Sequence, residues 1–167
     1  SLEICDFCEI ILWYERVPCD RTVCIFVVLS QIKGEKMKNC AVILAGGEGK
    51  RMKSDKPKTL SEVLGRPMLC WVMSALRKAG IDDICVVKGF KKECVEEYLS
   101  TLDFSVESVF QAERLGTGHA VMMAKDFLKK HSGNVVILNG DAPFMDSKTI
   151  EDSLKANIEN DCAATVI

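Results

Sequence analysis

The chain has 167 residues, 48% of them hydrophobic, and a formal net charge of −2. This length suffices for one domain with its own core, and the near-neutral charge gives no indication of a nucleic-acid partner. The longest apolar run, Val23 to Leu29, is far shorter than the ~18 residues of a membrane helix. The cations that open a secretory signal are missing from the start of the sequence. We therefore expect a cytoplasmic protein with no membrane partner.

The cysteines divide into two groups. Four of the nine lie in the first 36 residues, at Cys5, Cys8, Cys19 and Cys24. Two residues separate the first pair, as in zinc sites, but four separate the second pair and no usable histidine is near. This spacing favours a chance arrangement over a zinc site. The other five stand singly in apolar segments and are typical of buried, reduced thiols.

From Asn39 onward, short apolar runs alternate with helical patterns. The runs are rich in valine and isoleucine and continuously hydrophobic, which is typical of strands in a sheet that is covered on both faces. The β-α-β alternation predicts an α/β fold with a mostly parallel, Rossmann-like sheet and helices on both faces. The predicted strands are Cys40–Ala45, Asp83–Lys88, Ser105–Phe110, Asn134–Leu138 and Cys162–Ile167.

Four helices are predicted between these strands. Pro67 suits the first position of the first helix, and Gly80 ends it. Either Asp146 or Ser147 is expected to cap the fourth helix. Apolar residues at helical spacing mark the four helices in turn: Met68, Leu69, Val72, Met73 and Leu76; Val95, Tyr98 and Leu99; Ala120, Met123, Ala124 and Phe127; Ile150, Leu154 and Ile158.

A glycine-rich, basic loop follows the first predicted strand. Glycines at 46, 47 and 49 let backbone N–H groups turn inward, and clustered N–H groups with nearby cations bind polyphosphate. A P-loop is excluded because Arg51 follows Gly49-Lys50, and the dinucleotide fingerprint is excluded because Met52 replaces its last glycine. The sequence therefore predicts a phosphate loop of another kind. Its cations are Lys50, Arg51, Lys53, Lys56 and Lys58.

Three stretches resemble the sugar-phosphate nucleotidyltransferases. Residues 44–60 read Leu-x-Gly-Gly-x-Gly-x-Arg-Met-x-Ser-x-x-Pro-Lys-x-Leu, like the family's signature. Residues 111–120, Gln-Ala-Glu-Arg-Leu-Gly-Thr-Gly-His-Ala, and 138–144, Leu-Asn-Gly-Asp-Ala-Pro-Phe, are similar to its second and third motifs. Each stretch follows a predicted strand, so the parallel sheet independently brings all three to one crevice. Within the family, the closest resemblance is to the uridylyltransferase domain of the bifunctional N-acetylglucosamine-1-phosphate enzymes.

The resemblance implies an activity and roles for individual residues. The reaction would join UTP and N-acetylglucosamine 1-phosphate, with Mg²⁺ as cofactor, for cell-envelope synthesis. Arg51 and Lys58 are the expected catalytic cations, and Asp141 is the expected Mg²⁺ ligand. From the residues alone, an ordinary turn at Asp141 is as good a reading. His119 is expected to be structural. The predicted nucleotide-binding residues are Leu44, Ala45, Gly46, Gly47, Lys58, Gln111, Gly116, Thr117, Asn139, Gly140 and Asp141.

The resemblance also suggests boundaries. Residues 37–167 match the N-terminal part of a pyrophosphorylase domain, and residues 1–36 are expected to be a non-native or misassigned leader. In the family, the part beyond Ile167 supplies sugar contacts and a second metal ligand. We therefore expect this chain, as a C-terminally truncated domain, to bind UTP weakly with magnesium and to turn over little. A homotrimer is implied for the full-length protein.

Two alternatives remain open. The first is a molybdenum-cofactor-type or other sugar-1-phosphate nucleotidyltransferase. The molybdenum-cofactor enzymes share much of the first motif, although Gly49 and Lys53 depart from their serine and glycine. The other alternative is an inactive nucleotide-binding fragment. Arg114 replaces a glutamine that is frequent in the uridylyltransferases, which weakens the assignment of UTP. Asn139 replaces their frequent tyrosine, which weakens the expected contact of this residue with the nucleotide.

Overall fold

A computed structural model describes residues 27–29, 38–49, 56–113, 115–162 and 164–166. A single six-stranded sheet forms its centre, and a short hairpin lies beside it. The strands are β1 Val27–Leu29, β2 Cys40–Ala45, β3 Glu62–Val63, β4 Arg66–Pro67, β5 Asp83–Lys88, β6 Glu107–Phe110, β7 Val135–Asn139 and β8 Ala164–Val166. The α-helices are α1 Met68–Lys78, α2 Lys92–Ser100, α3 Thr117–Met123, α4 Lys125–Leu128 and α5 Ser147–Glu159.

The sheet is mostly parallel, as predicted. Its order is β6-β5-β2-β7-β1-β8. The first four strands in that order run parallel, whereas β1 is antiparallel to both β7 and β8. The central strand β2 pairs along its whole length with β5 and over five residues with β7. The predicted α/β, Rossmann-like architecture is therefore confirmed.

Helices cover both faces of the sheet, and the alternation of side chains along β2 shows why. Ala41, Ile43 and Ala45 pack into a core with residues of α1 and α5. Cys40 and Val42 face the opposite side and pack with residues of α3 and α4. Successive side chains of a strand point to opposite faces, so a continuously apolar strand supplies two cores.

Two buried thiols belong to the α3/α4 core. Cys40 in β2 and Cys85 in β5 have no exposed surface. Burial raises the pKa of Cys40 to about 12 and that of Cys85 to about 12, because an apolar environment disfavours the thiolate. Both thiols are free, as the sequence predicts.

Helix α1 follows its apolar stripe and ends in a glycine motif. Ile81 N–H donates to the Leu76 carbonyl, and Gly80 N–H donates to that of Arg77, both at 3.0 Å. With φ of +77° at Gly80, these bonds form a Schellman cap. The prediction for Pro67 was wrong by one residue. Pro67 precedes the helix in extended conformation, because it pairs with Glu62 in the β3–β4 hairpin.

Other differences concern element ends. The predicted third helix is two short helices, α3 and α4, that meet at Ala124. Asp146, rather than Ser147, caps α5 by accepting a hydrogen bond from Thr149 N–H at 2.7 Å. The β3–β4 hairpin was not predicted, although Leu64 and Gly65 between its strands both adopt positive φ, as a tight turn requires.

The segment before Met37 contributes to the described structure only through β1, which lies between β7 and β8. The expectation that residues 1–36 are a leader stays a prediction, as do the proposed domain boundaries. The four N-terminal cysteines lie outside the described residues. Among the described helices, none has the length and hydropathy needed to cross a membrane.

Candidate functional site

A cavity of about 360 Å³ opens at the carboxyl end of the parallel strands. Its walls come from the loop after β2, from the 3-10 turn Lys58–Leu60, from the segment between β6 and α3, and from the end of β7. All three sequence motifs therefore meet in one place. The lining residues are Leu44, Gly46, Gly47, Lys58, Thr59, Gln111, Gly116, Thr117, Ala120, Asn139 and Asp141.

Nine of the eleven predicted nucleotide-binding residues line this cavity, and Ala45 and Gly140 do not. Leu44 and Asn139 are paired across β2 and β7 and face the α3 side. Ala45 follows Leu44, so its side chain lies in the core on the opposite face. Gly140 is packed directly behind Thr59, since a Cβ there would lie 2.9 Å from Thr59 Cγ2. The predicted cation Arg51 lies outside the described residues.

Lys58 and Asp141 form an ion pair at the cavity wall. Lys58 Nζ lies 2.5 Å from Asp141 Oδ2, and the two side chains are 36% and 28% exposed. They are 83 residues apart in sequence. Pro57 fixes the chain just before the 3-10 turn that carries Lys58, and Asp141 follows the end of β7. The structure thus brings together the predicted catalytic cation and the predicted Mg²⁺ ligand.

Gln111 lines the cavity and is 5% exposed. Its Nε2 donates to the Gly116 carbonyl at 3.2 Å and lies 3.1 Å from His119 Nδ1. Its backbone N–H donates to the Lys88 carbonyl at the end of β5. Its Oε1 faces the glycine loop, because a Cβ built on Gly46 would lie 3.1 Å from that oxygen.

The glycine loop is braced by neighbouring backbone. A Cβ at Gly89, the residue after β5, would lie 2.7 Å from the Gly46 carbonyl oxygen, so only glycine allows this approach. Phe90 N–H also donates to that oxygen, at 3.3 Å. Gly49 has φ of +60°, and a Cβ there would lie 2.9 Å from Lys58 Cβ. These contacts hold the loop next to Lys58 and Gln111.

Sequence reasoning missed two lining residues, Thr59 and Ala120. Thr59 is 4% exposed, and its Oγ1 is the one buried side-chain oxygen or nitrogen without a hydrogen-bond partner in the described ranges. Its position directly after Lys58 in the Pro-Lys motif was the available signal. Ala120 lies one helical turn after Gly116, whose carbonyl accepts its N–H.

The described side chains that line the cavity suit a magnesium ion that is also coordinated by a bound phosphate. Among the described residues, Asp141 is the one carboxylate that lines the cavity, and no group of three or more His, Cys, Asp or Glu residues is arranged for a metal there. Mg²⁺ commonly takes one or two carboxylates and completes its shell with water and substrate phosphates. Asp141 can serve as that carboxylate.

Residues 41–167 match the family described as MobA-like NTP transferase domain. The chain belongs to this family. Two proteins named "Bifunctional protein GlmU" are similar to this NTP transferase domain. The one from Clostridium beijerinckii is 48% identical over 131 residues, covering 78% of the chain and 28% of that protein. The one from Acetivibrio thermocellus is 46% identical over 127 residues, covering 76% and 27%. The chain therefore spans less than a third of these relatives.

Solved structures agree with the family. A UDP-glucose pyrophosphorylase from Acinetobacter baumanii superposes with a TM-score of 0.55 at 28% identity, over 63% of this chain and 46% of that one. HddC from Yersinia pseudotuberculosis, solved with GMP-PN, gives 0.56 at 28% identity, over 71% and 55%. The resemblance of the NTP transferase domain to nucleotidyltransferases, predicted from three motifs, is confirmed.

Proposed function

We propose that this domain is part of a sugar-1-phosphate nucleotidyltransferase that joins UTP and N-acetylglucosamine 1-phosphate, releasing pyrophosphate, for cell-envelope synthesis in the cytoplasm. The observation that carries the proposal is the convergence of three distant segments on one cavity with an ion pair at its wall. The similarity to proteins named bifunctional GlmU favours this reaction within the family. A homotrimer remains part of the proposal for the full-length protein.

In the proposed reaction, a phosphate oxygen of the sugar 1-phosphate attacks the α-phosphorus of UTP. The bond between the α-phosphorus and the bridging oxygen to the β-phosphate breaks, and pyrophosphate leaves with that oxygen. Such chemistry depends mainly on positioning and charge neutralisation. Backbone N–H groups of the glycine loop would hold the triphosphate. Lys58, with Arg51, would neutralise its charge as the pyrophosphate departs.

Asp141 would hold Mg²⁺ together with triphosphate oxygens. The bound cation would supply charge neutralisation and alignment of the phosphates. Lys58 Nζ contacts Asp141 Oδ2, so we expect the ion pair to loosen when phosphate and cation bind. Lys58 would then turn to phosphate oxygens and Asp141 to the cation. The ion pair would thus neutralise both side chains until phosphate takes the place of Asp141 at Lys58 and the cation takes the place of Lys58 at Asp141.

A second candidate is a nucleotidyltransferase for another nucleotide, such as a molybdenum-cofactor enzyme. The description of the matching family, MobA-like NTP transferase domain, favours it. The departures at Gly49 and Lys53 and the Gly-Thr-Gly-His stretch at residues 116–119 favour a sugar-phosphate enzyme instead.

The test measures binding and turnover of the 167-residue chain separately. UTP, CTP, GTP and ATP are titrated by calorimetry with and without Mg²⁺, and pyrophosphate release is followed after adding N-acetylglucosamine 1-phosphate or glucose 1-phosphate. We expect Mg²⁺-dependent binding with UTP preferred, and little turnover. A preference for GTP or CTP would overturn the assignment of UTP, and lack of binding by every nucleotide would overturn the function. Rapid pyrophosphate release would contradict the expected inactivity of this chain.

A further inference from the structure

Among the described residues, His119 is linked to the cavity by its contact with Gln111. Its Nδ1 lies 3.1 Å from Gln111 Nε2, and neither the phosphate loop nor the Lys58–Asp141 pair involves it in the described contacts. The sequence offered His119 as a scaffold residue without a defined partner. The contact gives it a specific one, on a buried amide that faces the proposed nucleotide site.

The direction of this hydrogen bond is fixed by a third group. An amide nitrogen and oxygen are interchangeable in shape, so their order must come from their partners. Gln111 Nε2 lies 3.2 Å from the Gly116 carbonyl, which can only accept a hydrogen bond. The nitrogen therefore points to that carbonyl, and its second hydrogen points to His119 Nδ1. His119 accepts this hydrogen, and its own ring proton resides on Nε2.

Two acceptors thus hold the Gln111 amide in one orientation. A flipped amide would place its oxygen against the Gly116 carbonyl and lose that hydrogen bond, and it would keep one to His119 only if the ring proton moved to Nδ1. Leaving buried polar groups unpaired costs about 1–3 kcal/mol. In the observed orientation Oε1 lies towards Gly46, and both residues line the cavity. The site therefore offers an acceptor, not a donor, at this point.

We propose that His119 is a positioning residue for base selection: it locks the Gln111 amide so that the cavity accepts a base that donates a ring N–H and disfavours one whose ring nitrogen accepts. Uracil carries such an N–H where cytosine carries an accepting nitrogen, and the two bases are equal in size. An unlocked glutamine could turn its NH₂ inward and serve cytosine as well. This inference rests on the proposed nucleotide site.

The test compares two His119 variants of different hydrogen-bonding capacity. His119→Asn keeps an acceptor where Nδ1 stands, whereas His119→Leu keeps bulk and removes the acceptor. Kd values for UTP and CTP are measured by calorimetry with the 167-residue chain and Mg²⁺. We expect the wild type and His119→Asn to prefer UTP, and His119→Leu to lose about tenfold of that preference, mainly by binding CTP more tightly.

The outcomes separate the two proposals. An unchanged UTP-to-CTP ratio in His119→Leu, or equal ratios in both variants, overturns the role of His119 while leaving the nucleotide site intact. A wild-type chain that binds nucleotides without base preference does the same. A wild-type chain that binds none overturns the proposed function and this inference with it.

A measurement on the wild type covers the case in which a variant fails to fold. Nitrogen-15 shifts of His119 distinguish its two neutral tautomers. We expect the proton on Nε2 and a slowly exchanging Gln111 side-chain NH₂. A proton on Nδ1 would overturn the proposed lock, because that nitrogen could not then accept from Gln111.

Discussion

The two ends of the parallel sheet carry similar polar residues, but they differ in how completely these residues are hydrogen-bonded. At the amino end, Lys38 Nζ lies 2.6 Å from Asp83 Oδ2, and Asn39 Oδ1 accepts from Asn134 N–H at 3.0 Å. At the carboxyl end, a second Lys–Asp pair borders a cavity, and Thr59 Oγ1 has no partner among the described residues. An unpaired buried polar group is costly, so its presence beside the cavity supports the proposal that the carboxyl end is the functional one.

The largest expected contrast is between the two Lys–Asp pairs. Lys58→Met should weaken UTP binding in Mg²⁺ about 10- to 100-fold, since a charged hydrogen bond is lost. The same change should strengthen binding of Mn²⁺ alone, because Asp141 loses its competing cation. Calorimetry with UTP and electron paramagnetic resonance with Mn²⁺ measure these opposite shifts. The matched control, Lys38→Met, should leave both unchanged, and equal effects from the two variants would remove the distinction between the ends.

Two close-packed glycines extend the comparison to the backbone. A Cβ at Gly89 would lie 2.7 Å from Gly46 O, and one at Gly133 would lie 2.6 Å from Lys38 C and O. Gly89→Ala and Gly133→Ala should each lower the free energy of unfolding by about 1–3 kcal/mol, measured in urea. In the molecules that remain folded, only Gly89→Ala should also weaken UTP binding. Weaker binding in Gly133→Ala would argue against a local effect on the glycine loop.

Thr59 provides a smaller and opposite effect. Thr59→Val keeps the shape of the side chain and removes the unpaired hydroxyl, so it should raise the free energy of unfolding by about 1 kcal/mol. Thr59→Ser retains the hydroxyl and serves as the control. Thermal unfolding without ligand measures the change. Destabilisation by valine would reveal that the hydroxyl has a partner, such as water.

The smallest expected effect is on the free energy of unfolding at acidic pH. The hydrogen bond from Lys38 lowers the pKa of Asp83 below its ordinary range, and the nearby His131 lowers it further. A lowered folded-state pKa contributes stability above the unfolded pKa, and this stability is lost as the pH falls through the folded pKa. Asp83→Asn should therefore make urea unfolding slightly less dependent on pH below about 4. The effect is small because Lys38 is 69% exposed, so that solvent screens the pair. An unchanged pH dependence would exclude this contribution.

Sequence reasoning located the fold and most of the cavity because both depend on local patterns. Continuous apolar runs predicted β2 and β5 to the residue, and glycines after a strand predicted the phosphate loop. Asp141 was placed at the cavity because the residue after a parallel strand must lie at its carboxyl end. These inferences needed only periodicity and chain direction.

The features that were missed depend on tertiary contacts. Nothing local indicates that Lys58 reaches Asp141, that Gly89 packs on Gly46, or that the Thr59 hydroxyl is left without a partner. Pro67 was misplaced because its pairing with Glu62 overrides its preference for the first helical turn. The role of Arg51 remains a prediction, since it lies outside the described residues.

Cys40 and Cys85 can serve as native probes of local opening at the centre of the sheet. The thiolate is the reactive form of cysteine, and burial keeps both thiols protonated and enclosed. Alkylating reagents can therefore reach them only when the region between β2 and α3/α4 opens. The alkylation rate of these native cysteines, followed by peptide mass analysis, thus measures how often this face of the sheet opens locally. The change in that rate when nucleotide is added measures how strongly the bound nucleotide suppresses the opening.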